Sequence, residues 1–283
     1  MELKKLISRG LLIAAVSSLV IAGCRKKDED KDTQAASDNE QAEFMSNDVV
    51  NMSDAAANGV NSFKNNPSGT FAALSCATVT RDTIVSSDPD TTTIDFGSSA
   101  CQCMDGRYRQ GKIIVIHHGK FTIPQSFRSV SFSNYFVGKD PAQMHQIEGV
   151  HTVTFNGKNT AGNFNWTIDA QNMKITRPDG KYHTWTSTRN REWIQGSNTP
   201  FNWTDDVFLI TGSASGTNVN GNSYSANITT ALRRELGCHW FVSGTVEITP
   251  QNKPTRTVDY GNGTCDNQAT VTIGNNTYTI TLH

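Results

Sequence analysis

The sequence has no excess of charge of either sign. Its 25 lysine and arginine residues are balanced by 26 aspartate and glutamate residues, so the formal net charge at neutral pH is −1. A protein that binds nucleic acid through the phosphate backbone carries a basic surplus. The composition therefore excludes nucleic acid as a partner.

Catalytic and metal-binding motifs are also missing. Residues 212–216 have the glycines and serines of a nucleophile elbow, but the central residue is Ala214, which has no nucleophile. Cys101 and Cys103 are not accompanied by the second close cysteine pair that a zinc site needs. We therefore predict no catalytic residue, no bound metal and no cofactor.

The N-terminus has the features of an export signal. Basic residues at positions 4, 5 and 9 precede an apolar run at 11–21, and small residues then lead to Cys24. The run is too short for a membrane-spanning helix, which needs about 20 apolar residues. The order resembles the lipobox of bacterial lipoproteins, which implies removal of residues 1–23 and attachment of palmitate-type acyl chains to Cys24. In the alternative, an ordinary signal peptide contains the cysteine by chance.

The next segment changes to a polar, charged composition. Residues 25–32 are almost all charged, and we predict a flexible tether over 24–43 because such a segment buries too little apolar surface to fold. A charged tract after the lipid cysteine resembles the signal that directs Bacteroidota lipoproteins to the exterior of the outer membrane. A plain solvated linker is the alternative.

A short helix is predicted between the tether and the main domain. Ser37 and Glu40 have the spacing of a capping box. Apolar residues follow at helical spacing, namely Ala42, Met45, Val49, Met52 and Ala56. We expect one short amphipathic helix and its linker within 44–64.

Residues 65–283 have the pattern of one large all-β domain. About a dozen short runs with alternating apolar and polar residues are separated by turn sequences such as Asn156-Gly157. Consecutive hairpins predict a single antiparallel meander. The sequence does not decide whether the meander closes as a sandwich, a roll or a barrel-like structure.

An internal repeat brackets this domain. Residues 74–101 and 236–265 both begin with leucine, one further residue and cysteine, and both end with a cysteine four residues after a glycine. Each block predicts a β-hairpin with a disulfide, joining Cys76 to Cys101 and Cys238 to Cys265. Cys103 is left over, and it could replace Cys101 as the partner of Cys76.

One strand carries the candidate ligand-binding residues. Residues 181–193 predict a long strand, one face of which presents His183, Trp185, Arg189, Arg191 and Trp193. Two tryptophans that flank two arginines could bind a sugar ring or an acidic glycan by stacking and bidentate hydrogen bonds. In the alternative, the tryptophans belong to the edge of the core and the arginines cover them with their aliphatic stems.

Three stretches, at 187–193, 205–212 and 257–266, resemble a widespread group of uncharacterised Bacteroidota lipoproteins of the outer membrane and cell surface. The resemblance covers most of residues 76–282. It implies an outer-membrane address, with the protein facing the cell exterior. It carries no known activity, so it transfers no catalytic residue.

Three functions remain compatible with these features. We favour a non-enzymatic, surface-exposed binding or structural module of the adhesin type, attached to the membrane through the lipid on Cys24. Its other partners would be a glycan or another surface protein. The first alternative is a glycan-binding or glycan-active accessory protein. The second is a carrier of lipid or of outer-membrane clients, which requires a large apolar cavity.

Overall fold

A computed structural model of the chain describes residues 29–57, 69–82, 89–120, 123–199 and 202–282. The predicted signal peptide, Cys24 and the first residues of the predicted tether lie outside these ranges. Within them, fourteen antiparallel strands form one meander sheet that is accompanied by one N-terminal α-helix, α1 (Gln34–Ala57). The predicted all-β class with an N-terminal helix is confirmed.

The strands follow one another along the chain and are joined mainly by short turns. Their bounds are β1 Thr78–Arg81, β2 Asp90–Asp95, β3 Cys101–Gln102, β4 Tyr108–His118, β5 Phe127–Gly138, β6 His145–Lys158, β7 Phe164–Thr176, β8 Tyr182–Gln195, β9 Val207–Thr217, β10 Ser223–Glu235, β11 Phe241–Pro250, β12 Arg256–Asn262, β13 Gln268–Ile273 and β14 Asn276–Thr281. Two 3₁₀ helices, Gly69–Leu74 and Trp203–Asp205, precede β1 and β9.

Each strand pairs with its sequence neighbours, except that β2 pairs with β4, and β3 lies beside this path and pairs only with β4. Among the described residues, β1 and β14 are the two edges, so the sheet is open. Most strands alternate buried and less buried residues, as in β8 and β11. This alternation places aliphatic side chains on the inner face and threonine and serine on the outer face.

Glycines within the strands coincide with irregular pairing. Gly111 has φ +83° and lies at a register shift between β4 and β5. A Cβ atom on this residue would lie 1.8 Å from the backbone oxygen of Asn134, so only glycine fits. Gly212 has φ +121°, at a register shift between β9 and β10. Such bulges bend strands and increase their twist, which lets the sheet curl.

The curled sheet surrounds α1. The helix contacts β2, β8 and β11, which are far apart in the order of the sheet. Most of its apolar residues join one core cluster with the inner faces of the strands, and Val50 packs in a second cluster with residues of β6, β7 and β9. All five residues predicted at helical spacing, from Ala42 to Ala56, are buried.

The predicted boundaries of the helix are wrong. Residues 34–43, assigned to the flexible tether, are helical, and Ser37 and Glu40 lie inside the helix instead of capping it. The Asp32 carboxylate accepts a hydrogen bond from the backbone N–H of Gln34, the first helical residue, at 2.9 Å. The helix is also buried on its polar side, so it is not amphipathic in the sense predicted. Residues 58–64 of the predicted linker lie outside the described residues.

Both predicted disulfides are present. Cys76 is bonded to Cys101 and Cys238 to Cys265, with Cα atoms 6.3 and 5.8 Å apart. The strands between them form the predicted hairpins, β1 with β2 and β11 with β12. Cys103 is a free, buried thiol.

Length and apolar composition decide whether a helix can span a membrane. No helix in the described part of the chain is long and apolar enough to cross a bilayer.

Candidate ligand-binding cleft

The predicted ligand face of β8 exists, but it points into the protein. His183, Trp185, Arg189 and Arg191 are at most 4% exposed, and they alternate with more exposed residues as expected for one face of a strand. Trp193 is half-buried and packs against Phe208, with ring centroids 5.7 Å apart. The prediction of an accessible sugar platform is therefore wrong, because the inner face of β8 contacts α1.

The arginines of this face bind the carboxylates of the helix. Arg189 donates to Glu43 through Nη2 at 2.6 Å and through Nε at 3.1 Å. Arg191 donates to Asp54 at 2.6 Å, and Arg128 on β5 pairs with the same carboxylate. Buried carboxylates are costly unless they are paired and hydrogen-bonded. These contacts explain how a polar helix can lie inside a sheet.

Neutral polar groups complete the contact between helix and sheet. The indole N–H of Trp185 donates to Asn39 Oδ1 at 3.1 Å. The hydroxyl of Ser46 hydrogen-bonds to His151 Nε2 at 2.9 Å. Burial lowers the pKa of His151 to about 4, so this imidazole is neutral at pH 7. The indole and imidazole of this inner face therefore have structural partners in α1.

A cleft lies over one side of α1, where the sheet does not cover it. Its volume is about 370 Å³, in the lower part of the range for small-ligand sites. The floor comes from the helix at positions 44, 47, 48 and 51, which share one helical face. The walls come from the 3₁₀ helix Gly69–Leu74, from the turn between β3 and β4, and from the connection between β10 and β11. The ends of both cysteine repeats therefore meet at this cleft.

Two carboxylates that line the cleft, Asp48 and Asp105, are bound by an arginine that lies behind them. Arg109 holds Asp105 through two parallel hydrogen bonds of 2.9 and 2.7 Å and donates to Asp48 at 2.9 Å. The Arg109 side chain is fully buried, whereas those of Asp48 and Asp105 are 16% and 13% exposed. Burial acts to raise the pKa of Asp48, but the guanidiniums of Arg109 and Arg107 outweigh it and hold this pKa below its usual value.

The lining also contains a histidine that contacts a second arginine. Arg107 donates to His239 Nε2 through Nη2 at 2.8 Å, and its guanidinium lies 4.2 Å from the centroid of the Phe44 ring. Burial and the charge of Arg107 lower the pKa of His239 to about 4. A guanidinium can only donate, so Nε2 is the acceptor and Nδ1 of the neutral ring carries the proton.

The cleft combines aromatic, amide and charged groups. Phe44 and Phe241 supply rings, and Asn47 and Asn51 supply amides. Asn47 uses Nδ2 to bind the Glu43 carbonyl at 2.9 Å. One arginine, Arg234, lines the cleft, and burial lowers its pKa to about 10, so it stays charged at pH 7.

The charged side chains that line the cleft are Asp48, Asp105 and Arg234. The buried guanidiniums of Arg107 and Arg109 lie behind this lining. When they are counted with it, and with His239 neutral, the guanidiniums at positions 107, 109 and 234 exceed the carboxylates of Asp48 and Asp105 by one positive charge. The arrangement suits a small polar ligand with a negative group and an apolar ring face. A more open depression of about 430 Å³ on the outer face of β8–β11 is lined mainly by hydroxyl and small side chains, without aromatic rings.

Sequence reasoning did not find this cleft. Its residues come from four separate segments, and no motif joins them. The available signals were the repeat, whose cysteines flank the walls, and the pair Arg107 and Arg109, two and four residues after Asp105.

Comparisons with known proteins give no relative for the chain. No family model matches it, and neither a curated protein nor a solved structure is detectably similar. The resemblance to Bacteroidota lipoproteins therefore stays a prediction.

Proposed function

We propose that this protein is a lipid-anchored, non-enzymatic binding module of the outer-membrane surface, and that the cleft beside α1 binds its ligand. The observation that carries the binding proposal is the cleft itself, with the Arg234 guanidinium, amides and aromatic rings around about 370 Å³. The proposed anchor is Cys24, in accordance with the lipobox-like sequence.

The chemistry of the lining favours an acidic sugar residue. Arg234 lines the cleft and the guanidiniums of Arg107 and Arg109 lie behind it, so the surrounding charge attracts a carboxylate, and arginine binds carboxylates with directed hydrogen bonds. The rings of Phe44 and Phe241 offer apolar surfaces to a sugar, and the Asn47 amide keeps hydrogen-bonding capacity beyond its bond to Glu43. This proposal combines two of the functions that the sequence left open, the surface-exposed binding module and the glycan-binding accessory protein.

The carrier alternative receives less support. A lipid carrier needs an apolar cavity, and the natural place for one is the inner side of the curled sheet. That space is filled by α1, whose carboxylates are paired with Arg189 and Arg191.

The binding proposal is tested with the full chain on an array of neutral oligosaccharides and matched oligosaccharides that contain uronic or sialic acids. We expect retention of the acidic members, weakened by salt because the attraction is electrostatic. Met104 lines the cleft and is 66% exposed, so Met104→Trp should block the cleft without disturbing the fold. Val150, 41% exposed on β6, provides the control Val150→Trp. Retention that survives Met104→Trp, or no retention of any acidic sugar, contradicts the proposal.

The location is tested separately. Cys24→Ser should release the protein from the membrane fraction, because the lipid is the proposed attachment. Protease treatment of intact cells should degrade the wild-type protein if it faces the exterior. Persistence of Cys24→Ser in the outer-membrane fraction would show that another part of the chain provides the anchor.

A further inference from the structure

Three cysteines meet beside the cleft. Cys76 follows the 3₁₀ helix Gly69–Leu74 and is bonded to Cys101, while the Sγ atom of Cys103 lies 3.0 Å from the Sγ atom of Cys76. All three sulfur atoms lie within 4.8 Å of one another. Since the sulfur of Cys76 is already bonded and carries no hydrogen, the thiol of Cys103 is the donor in this contact.

We propose that Cys76 exchanges its disulfide partner between Cys101 and Cys103, and that this exchange regulates the shape of the ligand cleft. In this step the Cys103 thiolate attacks Cys76 Sγ and a new S–S bond forms. The bond from Cys76 to Cys101 breaks, and its electron pair leaves on the sulfur of Cys101, which takes up the proton released by Cys103. One disulfide and one thiol exist before and after, so no oxidant or reductant is required.

The surroundings of Cys103 favour internal exchange over reaction with outside thiols. Cys103 is 3% exposed, so external reagents reach it poorly, whereas the sulfur of Cys76 is in contact with its thiol. Burial raises the pKa of the Cys103 thiol although the nearby Arg109 guanidinium acts in the opposite direction. The reactive thiolate is therefore scarce at neutral pH, and exchange should accelerate about tenfold for each pH unit until the thiol ionises.

The local fold allows the two cysteines to change places. β3 contains only Cys101 and Gln102, and it pairs only with β4. The backbone N–H of Cys103 donates to the carbonyl of Arg107 at 2.8 Å, which closes the turn at residues 103–107. A change of partner needs a movement of this short segment and leaves the ladder from β4 to β14 in place.

The same segment forms a wall of the cleft. Met104 donates its backbone N–H to Ser75 Oγ at 2.8 Å and to the Ala72 carbonyl at 3.1 Å. Asp105 holds Arg109 and lines the cleft. Movement of Cys103 towards Cys76 therefore shifts Met104 and Asp105, which line the cleft. The regulatory part of this inference rests on the proposed binding function.

The second cysteine repeat provides an internal control. Cys238 and Cys265 are bonded in the same type of hairpin, but the residue two positions after Cys265 is Asn267, where the first repeat has Cys103. The second bridge thus has no neighbouring thiol at the equivalent position. Exchange is expected at Cys76 alone.

The experiment maps free thiols in the full chain, purified without reductant and held at pH 7 or pH 8.5. Samples are quenched in acid, unfolded and labelled with N-ethylmaleimide at pH 5, where exchange stops. Cys101 and Cys103 lie on one tryptic peptide, residues 82–107, so fragmentation in the mass spectrometer must locate the label. We expect label on both Cys101 and Cys103, and none on Cys238 or Cys265. Label confined to Cys103 at both pH values overturns the proposal.

Two locked variants test the link to the cleft. Cys103→Ser should contain the Cys76–Cys101 bond, and Cys101→Ser should contain the Cys76–Cys103 bond. If Cys76 and Cys103 were both labelled in Cys101→Ser, the proposal would also be overturned. Hydrogen exchange should differ between the variants in residues 72–76 and 103–106 and agree in β7. Identical exchange in both segments refutes the regulatory part.

These measurements use no sugar, so they separate this inference from the proposed function. Partner exchange without sugar retention would remove the binding proposal alone. Retention with label on Cys103 alone would remove this inference alone.

Discussion

The interior of the sheet and the cleft use the same chemistry with different exposure. In the interior, Glu43 and Arg189 form an ion pair whose side chains are 1% and 3% exposed. In the cleft, Arg109 is fully buried, but the carboxylates of Asp48 and Asp105 are 16% and 13% exposed. The interior pair is closed to ligands, whereas the cleft carboxylates face both an arginine and solvent.

The difference shows two uses of a buried charge. A fully enclosed pair aligns α1 with the sheet, since each charge is costly without its partner. A pair at the border of a cleft keeps a charged surface in a fixed orientation, which a binding site requires. The two regions also differ in covalent support, because both disulfides lie at the end of the sheet that forms the cleft.

Breaking the interior pair should have the largest effect. Arg189→Met leaves Glu43 buried without its guanidinium, which we expect to lower the free energy of unfolding by about 3–5 kcal/mol. Urea denaturation measures the change. The matched control is Arg233→Met, which removes an ion pair with Glu235 whose side chains are 30% and 35% exposed. Its cost should be below about 1 kcal/mol.

A double variant sharpens this result. Combining Arg189→Met with Glu43→Leu replaces both charges by apolar groups and should recover most of the lost stability. If Arg189→Met lost no more stability than the Arg233→Met control, the interior ion pairs would not be what holds α1 inside the sheet.

Removing the covalent support of the cleft should have the next largest effect. The double variant Cys238→Ala and Cys265→Ala opens a loop of 27 residues. The chain-entropy model gives a loss of about 3–4 kcal/mol in the free energy of unfolding. Thermal and urea unfolding test this, with a non-reducing peptide map to verify that the disulfide of Cys76 is intact. Unchanged stability would mean that strand pairing alone holds this wall.

The carboxylate of Asp206 is also buried, and its surroundings differ from those of the carboxylates described above. Asp206 accepts a hydrogen bond from the Trp193 indole at 3.2 Å, and burial, with the charge of Asp205, raises its pKa from 3.8 to about 7. The fold prefers the protonated form, so this group's contribution to stability is full below pH 3.8 and is lost as pH rises towards 7.

Asp206→Asn should therefore be more stable than wild type at pH 8, by about 1–3 kcal/mol, and nearly equal to it at pH 4. The amide oxygen can still accept from the Trp193 indole. Urea unfolding at both pH values measures the difference, and Asp266→Asn at an exposed site is the control. An equal gain at both pH values would show that ionisation of Asp206 is not its cause.

The smallest effect on stability is expected in the cleft. Met104 is 66% exposed, so Met104→Trp should change the free energy of unfolding by less than about 0.5 kcal/mol. The melting temperature tests this. A large loss would mean that Met104 supports the wall, and the binding test would then need a smaller blocking residue.

Part of this fold was predictable from the sequence. The meander follows from alternating runs and turn dipeptides, and the repeat alone identified both disulfides. The shared face of His183, Trp185, Arg189 and Arg191 was also predictable, because strand geometry sets it. Its inward direction was not, because either face of a strand can be buried.

The helix and the cleft were less accessible to sequence reasoning. The polar composition of residues 34–43 suggests a solvated segment. In the structure this segment is buried, and Asp38 forms an ion pair at 2.5 Å with Arg177, which lies 139 residues further along the chain. An arginine at a strand position whose side chain points into the core, as at Arg128 and Arg189, is a usable signal of a buried ion pair, because it requires a buried carboxylate somewhere in the chain.

The sequence by itself determined the features that depend on neighbouring residues: the alternation of each strand, the turns between strands and the pairing of cysteines within each repeat. Only the tertiary structure decided that a polar helix lies inside the sheet and that a cleft opens beside Asp48. The physical reason is that the cost of burying a charge depends on its partner. For α1 those partners come from strands that only folding brings to the helix.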